Sequence, residues 1–324
     1  MPSGNTNYNT LVTTTLQDHG REIFDAVSTN NPLYWLLKKS GNIKIRKGGR
    51  VFTHPLIYGT NSSFAMYDKL GTIALPVTDL VTRAEYAIKV AAGSIVLSTI
   101  DMAMNAGDRE KLLDYADEKK LEAEISMSQL MGAQVFKDGS TATDFGGLQY
   151  LIHETPSSQT DVGGITSSNA SGNSYWRNYA YVTAVTAFNT TQAGLIAFNS
   201  VLNNTVKNNQ GPRAIITTPA IYQLYELGLT SNMRYASNEL GDAGFRTLSY
   251  STLPVIFDDN CPAGNVYFVD TNSLWLQVLA QANMEVTQFE NRDNQLASSS
   301  LMYLAGNLTS GSRRTNGVVT SVTG

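Results

Sequence analysis

The chain has 324 residues, 42% of them hydrophobic, with a formal net charge of −4 and one cysteine, Cys261. That size and apolar share suit one large folded domain or two medium ones. The acidic balance argues against a chain that wraps nucleic acid with its own basic surface, and a lone thiol excludes an intrachain disulfide.

Charged residues make up only 15% of the chain, against roughly 25% in typical domains. Asn, Ser, Thr and Gln must therefore carry much of the surface, and such groups are easier to desolvate against copies of the same protein than Lys or Glu. The N-terminus lacks the basic start and apolar run of a signal peptide, and no stretch of 18 or more apolar residues suggests a membrane span. A reducing cytoplasm is the expected setting. The Asn-x-Ser/Thr triplets at Asn61, Asn189 and Asn307 then read as polar loop sequence.

Residues 1–15 carry no charge and are rich in Asn and Thr, the composition of an arm held by something outside its own core. From Leu16 to Lys39 the spacing predicts helix, broken at Asn31-Pro32 and ended by Gly41. A β region follows. Val51 to Ile57 and the alternation of Tyr86, Ile88 and Val90 predict strands around a loop tip at Tyr58 to Phe64 and Asp68 to Gly71. An arm of about 20 residues out and back would reach roughly 65 Å at ~3.3 Å per residue. A two-stranded hairpin is marginal alone in water, so it should lean on something outside its own domain.

Asp108 to Lys137 is the strongest predicted helix, with Asn105 or Asp108 as cap and Gly139 as stop. Leu121 with Ile125, and Met127 with Met131 and Val135, recur at helical spacing, while Lys120 and Glu124 form an i,i+4 pair expected on a solvated face. At about 1.5 Å per residue the helix should be roughly 45 Å long. Beyond it, helices are predicted over Thr191 to Lys207 and Pro219 to Tyr225. Strands are predicted over Arg213 to Thr218, Pro254 to Phe257, Asn265 to Asp270, Ser299 to Asn307 and Gly317 to Val322.

Catalytic motifs do not emerge. His19, His54 and His153 fall in unrelated segments without metal-ligand spacing, and read as structural or surface residues. There is no nucleophile elbow, phosphate loop or dinucleotide fingerprint. Asp258-Asp259-Asn260 could bind a cation or simply form a turn between strands. Asp114, Asp117 and Glu118 fit a solvated helix face. Lys44, Arg46, Lys47 and Arg50 form a basic cluster at the base of the β arm, suited to acidic residues of a neighbouring copy or to an ordinary strand end. No catalytic residue, cofactor or metal is expected.

The order of elements, with three local motifs, resembles the tailed-bacteriophage major capsid proteins of the Hong Kong 97-like fold family. The first motif runs from Val135-Phe136-Lys137-Asp138-Gly139 to Phe145-Gly146-Gly147-Leu148, similar to that family's passage from a long spine helix to a Gly-Leu strand. The second joins Gly163 and Gly164 to Tyr175, Trp176, Arg177 and Asn178. The third is Leu304-Ala305-Gly306-Asn307 with Arg313 to Val319, similar to the closing strands.

The resemblance implies an α+β chain divided into an N-arm and helix (1–41), an extended β E-loop (42–92), a P-domain with the spine helix (93–145 and 285–324) and a mixed α/β A-domain (146–284). It implies a structural, non-enzymatic subunit. Many copies would assemble as rings of five and six into an icosahedral phage head around double-stranded DNA, without sequence-specific binding and without a membrane. The implied location is the virion capsid, assembled in the bacterial host cytoplasm. The short arm, which retains Met1, implies scaffolding by a separate protein; a portal and a decoration protein are further implied partners. Lys69 lies near the loop tip, but no motif assigns it to a cross-link. An encapsulin-like compartment shell shares the implied fold, and a soluble enzyme is the reading from another class. Between spine helix and inner domain the signature should be a packing joint, with Trp176 largely buried and Arg177 bonded to carboxylate or carbonyl groups.

Overall fold

A computed structural model describes residues 32–73, 75, 79–100, 109–158, 161–168, 172–186, 188, 192–207, 210–228, 248–291 and 295–323; the side chains of 109–118 lie outside the description. The N-arm, the predicted helix before Pro32, His19, Asn189 and the caps Asn105 and Asp108 therefore fall outside the described residues.

The described chain opens with helix α1, Pro32–Lys39. It stops where expected. Gly41 takes φ +67°, its N–H bonds to Lys38 O at 3.0 Å, and Asn42 N–H reaches Leu37 O at 2.9 Å. These are the paired bonds of a Schellman termination. The next four strands are β1 (Ile43–Arg46), β2 (Val51–Ile57), β3 (Val81–Ala87) and β4 (Lys89–Ser98). β2 and β3 form the predicted hairpin, in register from Val51↔Ala87 to Ile57↔Val81. The ladder is shorter than expected. Seven paired residues span about 23 Å at ~3.3 Å each, and the described residues between 58 and 80 carry no strand.

The long helix α2 covers Arg109–Gln134, 26 residues, or about 39 Å. Its orientation corrects the sequence reading. Met127, Met131 and Val135 are buried as predicted, but Lys120 is 4% exposed and Leu121 is 55% exposed. Lys120 Nζ lies 3.7 Å from Glu124 Oε1, with both side chains largely covered. The physical reason is the helix period: 120, 124, 127 and 131 share one stripe. The ion pair is the polar end of the inward stripe, and Leu121 and Ile125 belong to the outward one.

Two six-stranded sheets follow. The first is organised by β13 (Ala297–Ser310). β4 runs antiparallel along one edge, from Ala297↔Ser98 to Gly306↔Lys89. β10 (Leu274–Leu279), β11 (Glu285–Val286) and β12 (Glu290–Asn291) share the other edge, and β1 joins β10 in parallel. Alternation puts Met302, Leu304 and Leu308 of β13 into the core, where they share one apolar cluster with Met127 and Met131 of α2.

The second sheet runs β5-β14-β9-β6-β8-β7. Its strands are β5 (Tyr179–Tyr181), β6 (Ala214–Thr217), β7 (Leu248–Tyr250), β8 (Leu253–Phe257), β9 (Val266–Val269) and β14 (Gly317–Val319). The predicted strands at 213–218, 254–257 and 265–270 are all present. Helices α4 (Ala193–Thr205) and α5 (Pro219–Gly228) contribute Phe198, Val201, Ile221 and Tyr225 to its cluster.

Two further points depart from expectation. The Gly-Leu segment is one helical turn, α3 (Leu148–Leu151), not a strand. β14 pairs with β9 and β5 in the second sheet, although 285–324 was grouped with the long helix, while β10 pairs in the first sheet. Both sheets thus receive strands from across the expected divide. Asp258-Asp259-Asn260 is a turn, with Asp258 Oδ1 accepting from Asn260 N at 3.0 Å. Among the described residues no group of three His, Cys, Asp or Glu side chains could hold a metal ion.

Candidate functional site

The signature residues come together where the hairpin meets the body. Gly163 and Gly164 take φ +64° and +75°, values that favour glycine. They form the turn of a minimal bridge in which Val162 and Ile165 exchange backbone bonds at 3.2 and 3.3 Å. Positive φ at both central residues is the type I′ pattern. The turn grips the hairpin: Glu85 N–H of β3 donates to Gly163 O at 2.8 Å. A Cβ on Gly163 would sit 3.1 Å from Ala84 Cβ and 3.2 Å from Tyr86 Cζ, so bare backbone permits this approach.

Trp176 ends a 3-10 turn, Ser174–Trp176. It is 2% exposed, and its indole N–H donates to Val162 O at 2.8 Å. The polar tip of a buried tryptophan needs such an acceptor. Arg177 Nε donates to Ser167 O at 2.6 Å and Nη2 to Ser168 O at 2.5 Å, closing the polar loop on itself. Tyr175 stacks on Tyr58 at the hairpin, with ring centroids 5.4 Å apart. Asn178 exchanges bonds with His153, receiving its N–H at 3.1 Å and donating to its carbonyl at 2.8 Å.

The residue at the centre of this joint is Arg313. It is 1% exposed. Nε donates to Leu151 O at 2.6 Å, Nη1 to Trp176 O at 3.0 Å and Nη2 to Asn178 Oδ1 at 3.0 Å. Burial pulls the guanidinium down to about 10, against the raising effect of the nearby Tyr86 and Tyr150 hydroxyls, so it stays charged at neutral pH. All three acceptors are neutral. The planar fork suits them because it presents donors in fixed, diverging directions. Sequence reading placed Arg313 in a closing-strand motif and missed this role. A basic residue inside an otherwise apolar and small-residue stretch was the available signal.

The Gly146-Gly147 pair anchors the same joint to the long helix. Leu148 N–H donates to Val135 O at 2.7 Å. A Cβ on Gly147 would lie 2.5 Å from both Val135 O and Lys137 N, a collision with backbone that cannot move aside. Tyr150 receives Gly163 N–H on its hydroxyl at 3.2 Å, and Tyr86 donates its hydroxyl to Ser310 O at 2.9 Å. Hairpin, signature loop, α3, β13 and the segment before β14 are therefore tied at one place. The basic cluster at the hairpin base is also partly internal: Arg46 donates to Gln277 Oε1 at 3.0 Å, and the Lys44 ammonium lies 4.1 Å from the Trp275 ring centroid. The arrangement offers geometry and packing; it brings together no nucleophile, base and oxyanion donor.

No family model matches the sequence, and a sequence comparison with curated proteins gives no match. Solved structures do match. The capsid asymmetric unit of Cyanophage A-1(L) is similar over 87% of this chain and 91% of its own, at 14% identity and a TM-score of 0.60. The capsid of a native GTA particle is similar over 89% and 90%, at 10% identity and 0.55. The holo-SrpI encapsulin of Synechococcus elongatus PCC 7942 is similar over 88% and 87%, at 11% identity and 0.54. Element order and near-complete coverage of both chains give this protein the α+β Hong Kong 97-like fold of phage major capsid proteins.

Proposed function

We propose that this chain is the major capsid protein of a tailed phage. Copies assemble as rings of five and six into an icosahedral head that encloses double-stranded DNA without sequence-specific contacts. The observation that carries the reading is the hairpin tip, where Phe64 is 88% and Leu70 95% exposed, with Met66, Ile73 and Leu75 also open to solvent. Leaving each such side chain in water forgoes about 1.5–3 kcal/mol of burial, and a cluster of exposed large apolar side chains favours contact with a partner. Docking the tip on a neighbouring copy recovers it. Leu121 and Ile125 on the outward face of α2 supply apolar surface for the same kind of contact. Similarity to phage capsid structures supports this reading.

In this reading residues 1–41 are the N-arm and its helix, 42–92 the E-loop, 93–145 with 285–324 the P-domain, and 146–284 the A-domain, with β10 and β14 crossing that division as ties. Gly163, Gly164, Tyr175, Trp176, Arg177 and Asn178 serve as a structural signature at the E-loop base. The role is structural and uses no cofactor. Partners are other copies, a scaffolding protein, a portal and a decoration protein; the location is the virion, after assembly in the host cytoplasm. No described helix is long and apolar enough to cross a membrane.

Negative-stain microscopy of the purified chain, alone and with its scaffold, tests the proposal. Shells or ring-shaped capsomers are expected; a strictly monomeric protein under both conditions would sink it. Similarity to an encapsulin over most of the chain favours one second reading, a compartment shell around protein cargo. Nucleic acid recovered from nuclease-treated particles selects the phage head; a co-purifying enzyme selects the compartment.

A further inference from the structure

The hairpin also meets the body through His54 of β2, which plays no part in the joint around Arg313. His54 is buried, and its ring stacks on Trp275 of β10 with centroids 4.7 Å apart and planes 18° apart. Its polar side is set by Gln277. Because Arg46 Nε donates to Gln277 Oε1, the amide nitrogen is the end that faces His54 Nε2, at 2.6 Å. An amide nitrogen only donates, so His54 Nε2 accepts and the proton of the neutral ring sits on Nδ1. Thr309 Oγ1, 2.9 Å from the same ring nitrogen, accepts from Gln277 Nε2 at 3.1 Å and donates to Trp275 O at 3.0 Å.

A proton on Nε2 would crowd the Gln277 amide donor at 2.6 Å, with Thr309 Oγ1, at 2.9 Å, the acceptor within its reach. The surrounding charges add to this. β1 brings Lys44, against the Trp275 ring, and Arg46. β3 brings the Tyr86 ring, 6.1 Å away, with its hydroxyl committed to Ser310 O. β10 and β13 present neutral Trp275, Gln277 and Thr309. Arg213 and Asp270 line the cavity beside His54, and Asp270 Oδ1 accepts from Asn272 N at 3.0 Å.

We propose that His54 is a proton-operated latch. Neutral, it pins the hairpin base to β10 and β13; protonated, it leaves its seat and frees the hairpin to reorient. Burial first, then Lys44 and Arg46, hold its pKa down to about 4 from 6.5. The seated form thus binds fewer protons than the released form below pH 6.5. The latch is at full strength above that pH and weakens as pH falls toward 4. The opening constant should rise about 30-fold between pH 7.5 and pH 5. None of this depends on the shell reading, because the latch lies within one chain.

The Glu85 amide reports the docked state directly, since it donates across to Gly163 O of the body. Residue-resolved hydrogen exchange on the full chain, corrected for intrinsic rate, should show its protection falling about 30-fold from pH 7.5 to pH 5. His54→Gln keeps a hydrogen-bonding amide at the seat without a titrating group, and should flatten that profile. Lys44→Gln removes one opposing charge, and should move the midpoint to higher pH. Protection unchanged down to pH 5, or the same loss in H54Q, overturns the latch. Should H54Q fail to fold, an unmoved midpoint in K44Q overturns it alone.

Discussion

The joint around Arg313 and the hairpin tip are joined through two strands, yet they are opposites. At the joint, Trp176 and Arg313 are buried and each named donor meets an acceptor within the same chain. At the tip, Phe64, Met66 and Leu70 meet only solvent. The joint is completed by folding. The tip carries apolar surface that its own chain leaves uncovered, and on the proposed function a second copy covers it. The contrast locates where packing within the chain gives way to open apolar surface: at the end of the β2–β3 ladder, just past Ile57 and Val81.

Four variants probe that boundary. Trp176→Ala removes the largest side chain of the joint and should lower unfolding stability by about 3–5 kcal/mol, read as a reduced urea midpoint. Arg313→Ala leaves the carbonyls of Leu151 and Trp176 without their donor, while Asn178 Oδ1 keeps the His153 N–H. At ~1–3 kcal/mol for each abandoned buried group, a loss of about 3 kcal/mol is expected. A midpoint unchanged in either variant would mean that the joint is not closed within one chain. Trp176→Phe keeps most of the packing and loses the bond to Val162 O, for a drop of about 1 kcal/mol. Phe64→Ser with Leu70→Ser should change single-chain stability by less than about 0.5 kcal/mol, while particle yield by sedimentation falls sharply. A large loss of stability in that double variant would show the tip packing on its own chain, and the contrast would fail.

The long helix shows how far pattern reading reaches. The burial of Met127, Met131 and Val135 follows from spacing alone, whereas the helix ends at Gln134, ahead of the predicted stop at Gly139. Spacing also places Lys120 and Glu124 on that same stripe, but charge type suggested the solvated face. The closed ion pair lets both groups lie inward, against the propensity of each. Similarly, Gly163-Gly164 and Tyr175 to Asn178 were legible as a signature, with Trp176 expected to be buried. Their grip on Glu85 and on Arg313 was not, because those partners lie roughly 80 residues earlier and more than 130 later in the chain.

By itself the sequence determined many local elements: the helix end at Gly41, the first hairpin strand, the two helices and the strands β6, β8, β9 and β14 of the second sheet, and a low-charge surface suited to contact with copies of itself. Each follows from backbone preference or periodicity within a few residues. Only the tertiary structure decided which strands share a sheet, that β14 returns to β9 and β10 to β13, and that one buried arginine closes the joint. Those outcomes depend on pairing between distant segments. Many registers satisfy the same local pattern, and the choice among them falls to mutual burial and to the hydrogen bonds that buried groups must find.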